Sequence, residues 1–165
     1  THCISSAASD VYKRQGFMSA MWQDKAAGEA RYKGFCDAVC DMGRKELAQN
    51  VVIADFTLAS GYEKTGDILN KCAGLDGLVC ATDAMAVGAM RYLREHEIPV
   101  PQKILVAGHG DSEITRMTVP SLITAHYYYE KSGRISVRRL MELLRHEEGA
   151  VEEVKLGYEI VDLNG

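Results

Sequence analysis

Two short loops hold the residues whose types and spacing best suit a ligand: Thr82-Asp83 and His109-Gly110-Asp111-Ser112. Each follows a short apolar run, Leu78 to Ala81 before the first and Ile104 to Ala107 before the second. Runs of this length between glycines and polar residues are the pattern of buried parallel strands. In an open parallel sheet, ligands bind outside the carboxyl ends of the strands. Hydroxyl, carboxylate and imidazole groups gathered there supply hydrogen-bond donors and acceptors. Thr82 or Asp83 can also cap the helix that follows, because either oxygen can accept from the free amides of a first turn. His109 and His126 both fall at strand ends, where a lining or structural role suits them better than general-base chemistry.

Other chemistries lack their frames. Ser60-Gly61-Tyr62-Glu63-Lys64-Thr65 ends in Lys-Thr without the glycine spacing of a phosphate loop. Gly108-His109-Gly110 lacks the third glycine and the downstream acid of a dinucleotide fingerprint. No serine is framed as a nucleophile elbow. The five cysteines, at 3, 36, 40, 72 and 80, form no Cys-x-x-Cys pair. Cys36 and Cys40 share a helix face but have no histidine at ligand spacing, so they read as small core residues rather than a metal site. Neither a metal nor a cofactor is expected.

The elements that position these loops follow from periodicity. Phe17 to Met21 is expected as a strand, with Trp22 to Gly28 as its exit loop. A helix is predicted from about Gly28 to Gly43, with Ala30, Phe35, Ala38, Val39 and Met42 facing inward and Gly43 as its stop. Val51 to Ala54 is a strand, and Asp55-Phe56-Thr57 leaves it. Ser60 with Glu63 can form a capping box for a helix running to about Cys72. Ala84 to Glu95 is a helix stopped by Pro99 and Pro101, and Leu122 to Ala125 is a further strand. The strand–helix alternation predicts an α/β fold, a parallel sheet flanked by helices with right-handed crossovers. After His126 the plan changes: a long helix over Tyr129 to Arg145, an acidic turn over 147–151, then a strand pair from Val154 to Leu163 bent at Gly157.

The 165 residues suffice for one domain. Hydrophobic residues make up 47%, so the chain is globular rather than disordered. No apolar run approaches the roughly 20 residues of a membrane span. A formal net charge of −4 with mixed signs argues against a nucleic-acid footprint on this stretch. Residues 1–15 show neither period and no signal-peptide core. Ser9 to Gln15 resembles a translated sequencing adapter, so this segment is read as foreign and the frame as cut upstream.

The string Asp83-x-x-Ala86-x-Gly88, a helix, Ile98-x-Val100-Pro101, a strand and Gly108-x-x-Asp111 resembles the effector-binding domain of the lactose- and galactose-repressor family of bacterial transcription regulators. Arg31-Tyr32-Lys33-Gly34-Phe35 fits that family's R-x-x-G-F helix, and Pro120 to His126 its P-x-L-T-T-V segment. The wording His126-Tyr127-Tyr128-Tyr129 and Lys155-Leu156-Gly157-Tyr158 is similar to Gram-positive sucrose-operon repressors. The match runs from about Phe17 to Asp162. It implies a periplasmic-binding-protein-like fold of two subdomains joined by three crossing strands. Residues 16–126 would then form the C-terminal subdomain. Residues 127–157 would be a crossover helix and strand of an N-terminal subdomain that is largely missing, and 158–165 the return strand. Without that subdomain, Ile135, Val137, Leu140, Leu143 and Leu144 would expose an apolar face, an aggregation liability.

The resemblance also implies a sugar site. Sugars need convergent donors and acceptors with an aromatic face. Arg31 falls where the family's sugar-contacting arginine lies, Phe56 where an aromatic packs on the ligand, and Thr82 where lactose-type repressors keep an asparagine. Asp83, Asp24 on the first exit loop, and Tyr127 and Tyr129 at the hinge complete the set, with one tyrosine lining the cleft and the other packing. Gly110 is a departure, since many relatives carry a sugar-binding aspartate there; Asp111, one position on, is the candidate substitute. The implied ligand is a small sugar or sugar phosphate, of sucrose or fructose type. The implied partners are a second copy, through the helix Ala84 to Glu95, and operator DNA through a helix-turn-helix headpiece that this stretch lacks. Free cysteines suit a cytoplasmic location. One other reading stays open, a periplasmic sugar-binding protein of a transporter, which upstream sequence would distinguish; a flavodoxin-like enzyme would need a catalytic acid–base pair or a phosphate loop, and the sequence has neither.

Overall fold

The computed structural model describes residues 14–145 and 154–162. Strands and helices alternate: β1 (Gln15–Ser19), α1 (Arg31–Asp41), β2 (Val51–Ile53), α2 (Leu58–Lys71), β3 (Gly77–Cys80), α3 (Asp83–Glu95), β4 (Leu105–His109) and β5 (Ile123–Tyr127). A longer helix, α4 (Tyr129–Leu144), and a strand, β6 (Tyr158–Val161), follow. One six-stranded sheet has the order β2-β1-β3-β4-β5-β6. The pairings among β1 to β5 are parallel, while β6 runs antiparallel to β5 with Tyr127 opposite Tyr158. The predicted α/β architecture is therefore the observed one.

Side chains alternate across the strands and build a core on both faces. Phe17 stacks on Phe35 of α1 at 5.3 Å between ring centres. Met18, Leu78, Cys80 and Val106 are buried in the sheet, and Ile68, Met85 and Leu93 come from α2 and α3. Helices α2 and α3 cross at two glycines. A Cβ on Gly88 would sit 2.2 Å from the Leu58 carbonyl oxygen, and one on Gly61 would sit 2.4 Å from that of Met85. No larger residue permits this approach, so mid-helix glycines that cost helix propensity are here a packing requirement.

Several boundaries differ from expectation. The segment ahead of α1 begins at Lys25 as a wide π-type turn capped by Asp24, and α1 ends at Gly43 with the Arg44 amide on the Val39 carbonyl and the Gly43 amide on that of Cys40. Only Phe35 and Val39 of its expected inward set are buried; Ala30, Ala38 and Met42 are exposed, because a single helix over the sheet edge covers a narrow stripe. Cys36 is half-buried and Cys40 exposed, so neither is a core residue. Helix α2 starts one turn early: Thr57 caps it by accepting from the Ser60 amide at 3.1 Å, while the Ser60 hydroxyl accepts from Asp55 N at 3.0 Å. Val154 to Gly157 form no strand, leaving Tyr158–Val161 as the last one. The acidic turn and residues 1–13 lie outside the described residues, whereas Gln15 pairs with Gly77 in the sheet and Arg14 N donates to Asp76 at 2.9 Å. Helix α4 has no buried residue, and Val137, Leu140, Leu143 and Leu144 are exposed along it. Among the described residues no helix is long and apolar enough to cross a membrane.

Candidate ligand-binding site

The carboxyl ends of β1, β3, β4 and β5 meet along one edge of the sheet, and the predicted polar residues divide there into two groups. One group locks the edge together. Thr82 caps α3, its hydroxyl accepting from the Met85 amide at 3.4 Å. Asp83, only 3% exposed, is the staple beside it. One carboxylate oxygen accepts from the Thr124 hydroxyl at 2.6 Å, and the other from Ser112 N at 2.8 Å and the Ser112 hydroxyl at 2.9 Å. Asp83 thus ties the start of α3 to the loop after β4 and to β5. Gly108 and Gly110 lie against this carboxylate, at 2.5 and 3.1 Å from where their Cβ atoms would stand. Gly110 also sits at φ +133, a backbone conformation that L side chains rarely adopt.

Asp111 belongs to the same framework. Its Oδ2 lies 2.8 Å from His126 Nδ1, and Arg116 Nη2 lies 2.9 Å from Oδ1 and 3.2 Å from Oδ2. The side chain is 8% exposed. Burial alone would raise its pKa, but the hydrogen bonds from Arg116 and His126 outweigh that and hold the carboxyl below its ordinary range. Asp24 is likewise engaged, accepting from Ala26 N at 2.9 Å and Ala27 N at 2.7 Å. Phe56 stands exposed after β2, away from the cavity described next.

The second group faces open space. A cavity of about 570 Å³ is lined by Arg31, Tyr127, Tyr128, Tyr129, Ser132 and Gly157, among others. Arg31 reaches from the start of α1 to donate to the Ala81 carbonyl, and its guanidinium lies 5.8 Å from the Tyr127 ring centre. Tyr127 and Tyr129 meet edge to face at 6.0 Å. Both tyrosines line the cavity, where one had been expected to pack. A forked donor with N–H groups to spare beside aromatic faces is suited to a hydroxylated ring. His109, the last residue of β4, stands nearby with Nδ1 3.0 Å from the Cys80 carbonyl oxygen. A second cavity of about 570 Å³ lies elsewhere, along α3, lined by Val87, Met90, Met117, Val119 and Pro120 among others. Its lining is mixed, with Arg91, Arg94 and Glu97 beside the apolar residues, and Met117 is 81% and Val119 92% exposed.

Residues 12–162 match the model of the periplasmic binding protein-like domain. The chain belongs to that family. Over 138 residues it is 31% identical to the HTH-type transcriptional regulator IdnR of Escherichia coli (strain K12), covering 84% of this chain and 41% of that protein. It is 29% identical over 154 residues to the HTH-type transcriptional repressor PurR of Glaesserella parasuis serovar 5 (strain SH0165), covering 93% of this chain and 44% of that one. Among solved structures, the transcriptional regulator CelR–cellobiose complex superposes with a TM-score of 0.84 at 25% identity, over 92% of this chain and 46% of that one. The chain therefore spans less than half the length of these relatives, which are transcriptional regulators.

Proposed function

We propose that the chain is the ligand-binding and dimerisation portion of a sugar-responsive transcriptional repressor of the lactose- and galactose-repressor type. The observation that carries this reading is the Arg31–Tyr127–Tyr129 cavity at the carboxyl edge of the sheet. The likeness to a regulator solved with cellobiose supports a sugar as the ligand class. The tyrosine triplet and the Lys155 to Tyr158 wording favour a sugar or sugar phosphate of sucrose or fructose type. The protein is a cytoplasmic regulator and not an enzyme.

Tyr129 to Gly157 belong with an N-terminal subdomain that would close over the cavity, and the exposed face of α4 is where it packs. Sugar bound between the subdomains acts by its differential affinity for two states, and the state it favours holds operator DNA poorly. DNA contact belongs to an N-terminal headpiece. The groove beside α3, where exposed Met117 and Val119 stand with Arg91, Arg94 and Glu97, is the face for a second copy. The locked residues Asp83 and Asp111 act here by holding the strand edge that carries His109 and that Arg31 reaches from α1, with Thr82 capping α3 beside them; Asp24 and Phe56 are proposed to meet the ligand only once the cleft closes.

Calorimetric titration of the full-length protein with sucrose, fructose and their phosphates tests this. Binding is expected for at least one of them, weakened about tenfold or more by Arg31→Ala, since hydrogen bonds to a charged group are each worth about 1.5–3 kcal/mol. No heat with any of them, or an Arg31→Ala protein that binds equally well, overturns the assignment.

A further inference from the structure

We infer that His109 sets ligand specificity: its Nε2 accepts a hydrogen bond from a neutral sugar hydroxyl bound beside Arg31 and Tyr127. The inference rests on the sugar reading above and names the group that this part of the cleft selects. It starts from the end of β4, which runs to His109 instead of stopping at Ala107. Side chains alternate along a strand. A Cβ on Gly108 would point at Asp83, on the α3 side, so His109 faces the opposite way, toward α1 and Arg31.

There Nδ1 lies 3.0 Å from the Cys80 carbonyl oxygen. A carbonyl only accepts, so Nδ1 carries the hydrogen and the neutral ring leaves Nε2 as a bare acceptor. Among the described residues nothing bonds Nε2, and it is not among the side-chain atoms sealed from solvent without a partner. The acceptor is unpaired and not sealed from solvent, and His109 stands beside the residues that line the cavity rather than among them, so a ligand there reaches it by extending past Arg31. Burial holds the imidazole below its ordinary pKa of 6.5, helped by the charge of Arg31 and opposed by the Cys80 carbonyl and the Asp83 carboxylate. The ring is neutral at physiological pH.

Arg31 supplies the other half. It caps the Ala81 carbonyl, the next one along from the Cys80 carbonyl that His109 holds. Two side chains from different elements thus grip successive carbonyls at the end of β3, one presenting donors and the other an acceptor. A hydroxyl both donates and accepts, so a pair of neighbouring hydroxyls matches this pair of groups. A phosphate carries acceptors only and would set a negative charge against the Nε2 lone pair. The geometry therefore selects a neutral diol at this position.

Two substitutions separate contact from scaffolding. His109→Asn keeps an amide nitrogen near Nδ1, retaining the bond to Cys80, and removes Nε2. His109→Gln reaches the Nε2 position and abandons the Nδ1 bond. Binding of sucrose, fructose, glucose, maltose and cellobiose to the full-length protein is measured for each, together with the thermal midpoint. His109→Asn is expected to melt as the unaltered protein does, bind about tenfold more weakly and rank the sugars differently. His109→Gln is expected to melt earlier yet bind better than His109→Asn. Unchanged affinity and ranking in His109→Asn overturns the inference while leaving the sugar reading intact. If the unaltered protein binds sucrose phosphate or fructose phosphate but none of the panel, the inference is overturned and the sugar reading stands; if it binds neither the panel nor these phosphates, both fall.

Discussion

Helices α3 and α4 both carry an apolar stripe, yet the chain treats them in opposite ways. In thirteen residues α3 buries Asp83, Met85, Ala86, Gly88, Ala89, Met90 and Leu93, whereas α4 buries none in sixteen. The difference lies in their neighbours and not in their sequences. Helix α3 drops onto the sheet and locks against α2 through facing glycines, while α4 leaves the sheet after Tyr128 and none of the described residues buries its side chains. An amphipathic pattern states that a helix wants a partner; it does not say that the partner is in the same stretch of chain.

The sharpest way to break this comparison is to add one methyl group to each helix system. Gly88→Ala drives a Cβ to within 2.2 Å of backbone oxygen in α2. The helices must part, and urea denaturation should record a loss of about 3 kcal/mol or more. Leu140→Ala on α4 should cost less than about 0.5 kcal/mol in this chain, because the side chain is already exposed. Equal costs would mean that α4 has a cover within the chain. Next in size is Asp83→Ala. It strands the Ser112 amide and hydroxyl and the Thr124 hydroxyl in a buried setting, a loss of about 3 kcal/mol. Asp24→Ala removes only a helix cap and should cost about 1 kcal/mol by the same measurement.

A smaller effect, at Asp111, is read by pH. The carboxyl of Asp111 is held below its ordinary value of 3.8 by Arg116 and His126. A lowered folded-state pKa means that the unfolded chain takes up the proton first. Its stability contribution is therefore complete above the unfolded value and is lost as pH falls through the folded one. Stability followed from pH 5 downward should decline for the unaltered chain. Asp111→Asn should flatten part of that decline and leave the curve near neutrality nearly parallel. A variant with an unchanged acid limb would show that the ion pairs with Arg116 and His126 contribute nothing.

The α/β order was legible because each strand is a short apolar run and each helix a longer amphipathic one. Arg31, Tyr127 and Tyr129 were named from the family resemblance, and the structure places all three along one cavity. What sequence spacing hides is pairing at a distance. Nothing local says that Asp111 meets Arg116 and a histidine fifteen positions on, so these partners could not be read from spacing. Asp83 read as a cap or a sugar contact, and the crossing of α3 over β4 and β5 makes it a staple. The exit of β4 was placed two residues early, which hid the Nδ1 bond of His109 to Cys80. The packing of Gly61 and Gly88 was hidden for the same reason, because their partners lie on the opposite helix. The start of α2 slipped by a turn for a local reason: Thr57 and Ser60 are both competent caps, and packing of Gly61 on α3 selects the earlier one.

The smallest expected effect bears on the open helix. Gly133 sits in the second turn of α4, and a Cβ there meets nothing within 4 Å. A mid-helix glycine costs backbone entropy that alanine does not, so Gly133→Ala should stabilise this chain by about 0.5–1 kcal/mol. That gain has the opposite sign to the loss at Gly88, although the substitution is the same. If, as proposed, an N-terminal subdomain of the full-length protein covers α4 at this turn, the added methyl meets a packed surface there, and the gain should shrink or reverse. Measuring Gly133→Ala in both lengths thus reports where on α4 the cover lies. A gain of equal size in the two would leave the cover to the later turns, where Leu140, Leu143 and Leu144 stand exposed.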